Sequence, residues 1–143
     1  MVRHAVGFRT RAFVTFGSPI PLIEYDPDSR RDLVSLAHRI QDEIGRLYKV
    51  LPTALIASAM RPQSTRAELT SRIDDLLLAL TEAGANLAVR TGRQAVDEGL
   101  DLLTERGILV ADRQRVRVRD RIVLRYYART IEHLLAPKRR AIH

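Results

Sequence analysis

The 143-residue chain has no cysteine. Disulfide staples and thiolate-ligated zinc are therefore excluded. No apolar run approaches the ~20 residues needed to cross a bilayer as a helix. The N-terminus lacks the apolar core of a signal peptide. Lysine is almost missing as well, with only two of the 24 basic residues being Lys. Arginine dominance suits bidentate contacts to phosphate or carboxylate, and a GC-rich genome produces the same bias. There is no internal repeat and no low-complexity segment. What remains is 45% apolar and 29% charged, a globular composition. The length is enough for one domain with an ordinary core. These absences predict a cytoplasmic chain, peripheral at most on the inner face of the cell membrane.

The charge is unevenly placed. Net charge is +7, and Asp112 to His143 holds ten basic and three acidic residues. Residues 1–111 hold fourteen of each sign and are neutral.

Ala12, Phe13, Val14 and Phe16 favour a strand, which Gly17, Pro19 and Pro21 close. Asp26-Pro27-Asp28 predicts a helix start with Pro in the first turn. Leu33, Leu36, Ile40, Ile44, Leu47 and Leu51 continue it as a helical stripe that Pro52 interrupts. Thr53 to Met60 is apolar nearly all round and predicts a buried helix. Arg61 to Ser64 breaks the chain. Thr65-Arg66-Ala67-Glu68 is a capping box, followed by a core face of Leu69, Ile73, Leu76, Leu77 and Leu80. Gly84 stops that helix. Thr91 caps the next, which buries Ala95, Val96, Leu100 and Leu103 and ends at Gly107. Ile108 to Val110 and the alternating Arg115 to Arg119 predict a hairpin, Val116 and Val118 inward and three arginines outward. Asp120 caps a last helix that runs through Leu135, and Pro137 ends it.

A catalytic inventory finds little. His38 lies beside Asp42 and Glu43, the setting of an exposed ion pair on an amphipathic helix. His133, near a helix end, suits the dipole. His4 and His143 are near the termini. There is no metal-ligand spacing, phosphate loop or nucleophile motif. Asp74 and Asp75 share a helix with Arg72 and read as a solvated face. No catalytic, cofactor or metal residue is assigned.

Helices followed by a basic hairpin also read as a winged helix, with Arg115, Arg117 and Arg119 at phosphates. The helix before the hairpin would then read DNA, yet it carries Asp97, Glu98, Asp101 and Glu105. Acids there repel the phosphate backbone. Nucleic acid is the alternative, not the first, reading.

Three blocks, in order, resemble the C-terminal region of bacterial glycerol-3-phosphate acyltransferases. They are FVTFGSPIPL from Phe13, TALIASAMRPQSTRAELTSRIDDLLLAL from Thr53, and IVLRYYARTIEHLL from Ile122. The third contains the Tyr126-Tyr127 pair and Ile131-Glu132-His133-Leu134. The resemblance implies a family that moves an acyl chain from acyl carrier protein or coenzyme A to the 1-position of glycerol 3-phosphate, which begins phospholipid synthesis. The family's general base is a His followed, after four residues, by Asp. Here His4, His38 and His133 are followed at that spacing by Arg9, Glu43 and Lys138. The family's Phe-Pro-Glu-Gly segment is absent too. No catalytic residue carries over.

The expectation is therefore a mainly α chain with one N-terminal strand and a winged-helix-like C-terminal hairpin, the remnant of an α/β acyltransferase. Residues 1–22 would be the last strand and loop of the catalytic sheet, 23–137 a helical C-terminal domain, and 138–143 a basic tail. Such a chain is a truncated reading frame or a separately made piece, inactive alone. Its expected partners are the missing catalytic domain, acyl carrier protein or an anionic membrane surface. Arg115, Arg117, Arg119, Arg121, Arg125, Arg129, Lys138, Arg139 and Arg140 are the candidate contacts to an anionic surface.

Overall fold

Pro52 has no N–H to lose at a first helical turn, so the residue expected to interrupt a helix starts one. Helix α2 runs Pro52–Ala59 and buries Thr53, Ala54, Leu55, Ile56 and Ala57. It is the centre of the computed structural model, which describes residues 12–135. Helix α3, Arg66–Glu82, packs Leu69, Ile73, Leu77 and Leu80 into the same core. Helix α4, Gly92–Glu105, adds Ala95, Val96, Leu100 and Leu103. The backbones of α2 and α4 come close at Gly99, where a Cβ would lie 2.9 Å from Pro52 Cβ.

The local signals at these helix ends hold. Thr65 N donates to Glu68 Oε2 at 2.8 Å, and Glu68 N donates to Thr65 Oγ1 at 3.1 Å. That reciprocal pair satisfies two otherwise unpaired donors. Gln94 N donates to Thr91 Oγ1 at 3.1 Å. Gly84 (φ 74°) and Gly107 (φ 69°) take the left-handed conformation beyond α3 and α4.

The hairpin forms from β4, Leu109–Ala111, and β5, Arg115–Val118. A third strand, β2 (Gln63–Thr65), lies antiparallel on the other edge of β5. The sheet order is β2-β5-β4. Sequence reasoning takes 61–64 as a break only, because three residues are too few to show a period of two. The chain order α2-β2-α3-α4-β4-β5 with this sheet order is the expected winged-helix-like arrangement. A two-residue parallel pair, β1 (Lys49–Val50) with β3 (Asn86–Leu87), closes the other side.

Three expectations need correction. The first helix, α1, runs Arg30–Leu47 and is capped by Ser29, whose Oγ accepts from Asp32 N at 3.3 Å. Asp26 instead builds a turn, with its Oδ1 accepting from Asp28 N and its carbonyl from Ser29 N. The last helix is two: α5, Arg121–Arg129, and α6, Glu132–Leu135. Thr130 interrupts it because both its N–H and its Oγ1 donate to the Tyr127 carbonyl. Residues 12–16 form no strand, and Phe13, Val14 and Phe16 are exposed. The segment lies beside the C-terminal end of α1, with Lys49 Nζ 4.9 Å from the Phe13 ring centre and Gly17 against Leu47.

Every buried apolar side chain among the described residues falls between Val50 and Ile131. The helical stripe of α1 does not enter this core: Leu33, Ile40 and Ile44 are exposed, Leu36 and Leu47 are half-buried, and α1 buries no residue.

Candidate functional site

The period of two along β5 turns Val116 fully into the core and leaves Arg115 and Arg117 exposed on the opposite face. Arg117 sits between Gln63 of β2 and Val110 of β4. The hairpin turn is fixed by Asp112, whose Oδ1 accepts from Arg115 N at 2.6 Å and Gln114 N at 2.9 Å. Those two N–H donors hold the Asp112 carboxyl below its ordinary value, and the Arg115 and Arg117 charges add to the effect.

Asp120 turns the chain into α5 by accepting from Ile122 N and Val123 N, each at 3.0 Å. Helix α5 carries Arg121, Arg125 and Arg129 and no acid. Leu124 is buried on its inner side, and Ile122 and Tyr126 are exposed. Between α2 and α5 lies an open groove of about 250 Å³, its floor formed by Ala57, Met60, Val118 and Leu124. Arg61, Arg121 and Arg125 stand around it.

The candidate contacts are thus divided. Val118 faces the groove, so the outward arginines of β5 lie on the other side of the sheet from Arg121 and Arg125. Arg119 follows β5 and is exposed. Lys138, Arg139 and Arg140 lie outside the described residues. Arg61 was missed: it precedes the basic C-terminal stretch by some fifty positions, and only the packing of α2 on α5 brings it there.

The residues weighed for catalysis have structural surroundings. His133 Nε2 is 3.1 Å from the Gly45 carbonyl, and its ring meets Tyr48 edge-on at 5.9 Å. His38 is exposed. Asp74 is not merely solvated, since it accepts from Gly92 N at 2.6 Å and anchors the start of α4. Arg72 turns away from the Asp74-Asp75 pair and donates to the Ala59 carbonyl and Ser64 Oγ. On α4, Asp97, Glu98, Asp101 and Glu105 are all exposed. Arg93 pairs with Asp97 at 3.8 Å, leaving an outer face with more acid than base.

A family model described as the glycerol-3-phosphate acyltransferase C-terminal region matches residues 5–139. The chain belongs to this family. The match covers all three blocks singled out in the sequence. Searches of curated proteins and of solved structures return no match. No helix among the described residues is long and apolar enough to cross a membrane.

Proposed function

We propose that this acyltransferase-family chain is the non-catalytic C-terminal part of a glycerol-3-phosphate 1-O-acyltransferase of phospholipid synthesis. Residues 12–48 dock on the catalytic part, and the arginine-rich side meets an anionic membrane surface. The observation that carries the docking is the one-sided burial. Phe16 is 89% exposed, Ile23 96% and Ile44 64%, while the core starts at Val50. Apolar side chains left in water at this density mark a surface that another protein covers. The family supplies the occupant, because a C-terminal region follows a catalytic one. The non-catalytic reading is supported by the sequence, in which no His has an Asp at the family's spacing.

The test uses two components. The chain alone should give no acyl transfer from acyl-coenzyme A or acyl carrier protein to glycerol 3-phosphate. Mixed with the catalytic part of a family member that lacks its own C-terminal region, it should form a complex that Ile40→Asp with Ile44→Asp disrupts. Turnover by the chain alone, lost in His38→Ala, overturns the non-catalytic role. A complex indifferent to the α1 substitutions overturns the docking face.

The winged-helix-like order favours one second reading, a nucleic-acid-binding protein. The exposed acids of α4 stand against it, since they occupy the helix that would enter the groove of DNA. Salt-dependent binding to duplex DNA that Arg115→Glu and Arg117→Glu abolish would revive it.

A further inference from the structure

Three guanidiniums surround the apolar groove between α2 and α5, and their arrangement disfavours the isolated domain. Arg121 and Arg125 are one helical turn apart on α5, where like charges repel. Among the described residues, neither they nor Arg61 forms an ion pair or a side-chain hydrogen bond to a protein acceptor. The nearest acid in sequence, Asp120, has its carboxylate engaged by the α5 N-terminus. Glu68 feels Arg61 only as the weakest of its influences, after Thr65 and Arg72. Three cations lacking a partner at an apolar groove match an occupant that is both anionic and apolar.

The neighbouring face narrows the choice. Ile122 is 84% exposed and Tyr126 69%, and at i and i+4 they project together beside the arginines. A helix with basic and apolar side chains and no acid, with an aromatic among them, suits the layer between headgroups and acyl chains. The groove is open and, at about 250 Å³, below the ~300–1,000 Å³ typical of pockets that enclose a small molecule. A bilayer needs no enclosure, because it covers the face from outside.

We infer that α5 and the α2–α5 groove form the membrane-contact face. The helix lies in the headgroup layer of an anionic phospholipid bilayer, Ile122 and Tyr126 reach toward the acyl boundary, and Arg61, Arg121 and Arg125 hold lipid phosphates over the groove. This rests on the membrane reading proposed above and assigns it to one of two basic faces. The outward arginines of β5 lack such apolar companions, apart from half-exposed Val110. They are on the other side of the sheet.

The absence of tryptophan gives a direct assay. Tyr126→Trp in the full chain creates a single reporter at the proposed depth. Vesicles of phosphatidylglycerol and phosphatidylcholine should shift its emission to the blue, and vesicles of phosphatidylcholine alone should not. Each basic residue near an anionic surface is worth about fivefold in partitioning. Arg61→Glu, Arg121→Glu and Arg125→Glu together should therefore lower vesicle binding at least about a hundredfold, with the circular dichroism spectrum unchanged. Arg115→Glu with Arg117→Glu should lower it far less. Ile122→Ser should weaken binding without altering charge. If the full chain ignores anionic vesicles, the membrane reading and this inference both fail. If the chain binds but the β5 pair removes binding and the groove triple does not, only the assignment to α5 fails. Duplex DNA or acyl carrier protein displacing the chain from vesicles through the groove arginines, with no blue shift on vesicles, also overturns it.

Discussion

Helix α1 has eighteen residues and buries none of them, whereas α2 has eight and buries five. Both carry apolar side chains, α1 as a stripe and α2 nearly all round. They differ in what surrounds them. α2 is apolar on every side and has α3, α4 and α5 packed around it. α1 has a good amphipathic stripe, but it meets residues 49–135 mainly at its C-terminal end, where His133 reaches the Gly45 carbonyl. A helical period defines a face and says little about what covers it. Residues 49–135 complete their own core, and residues 12–48 leave apolar side chains in water.

The largest expected effect sharpens that contrast. Leu55 is fully buried. Leu55→Ala should cost about 2–5 kcal/mol in urea unfolding, by lost burial and the cavity left behind. Ile44→Ala on α1 should stay within about 0.5 kcal/mol, as expected of an exposed site. A chain beginning at residue 49 should keep a thermal midpoint close to that of the full chain and aggregate less. A midpoint lower by ten degrees or more would place residues 12–48 inside the body's own folding unit and erase the division.

The parts of the fold legible in sequence are those governed by neighbours a few residues away. The Thr65–Glu68 box, the Thr91 and Asp120 caps, the stops at Gly84 and Gly107 and the alternation of β5 are all local chemistry, and all appear. The parts that were not legible depend on distant partners. Strand β2 exists because β5 has a second free edge, and three residues carry no pattern of their own. The α1 stripe looks like core in sequence, since periodicity is the same whether the partner is within the chain or outside it. The candidate site divides in the same way. Arg115 and Arg117 were placed by the period of two, but their separation from Arg121 and Arg125, and the arrival of Arg61, come from packing alone.

A smaller effect tests the joint between the two regions. His133 of α6 holds the end of α1 through Gly45 and packs on Tyr48. A typical hydrogen bond contributes about 0.5–1.5 kcal/mol net, and an exposed one lies at the lower end. His133→Ala should therefore change global unfolding little while speeding amide exchange along α1 severalfold. Exchange in α2 to α4 should not change. Faster exchange throughout the body would mean that the two regions open as one unit.

The smallest effect is a pH dependence confined to the body. Glu68 has a lowered pKa, first because its carboxylate accepts from the Thr65 backbone N–H, then through the Thr65 side chain and the Arg72 and Arg61 charges. Asp112 is lowered first by the Arg115 N–H, then by that of Gln114. A carboxyl whose folded pKa lies below its unfolded value binds a proton more readily when unfolded. The stability it contributes is complete above the ordinary carboxylate range, about pH 4, and is lost as pH falls through the lowered folded values. Both groups are exposed, so salt should shrink the charge-dependent share. Urea midpoints measured from pH 7 down to pH 3 should fall for the full chain. They should fall less steeply for Glu68→Gln with Asp112→Asn. The chain beginning at residue 49 should keep the full slope, because Glu68 caps α3 and Asp112 turns the hairpin without help from residues 12–48. A truncated chain with a flattened acid limb would show that the N-terminal region tunes these carboxylates, and the two regions would no longer be electrostatically separate.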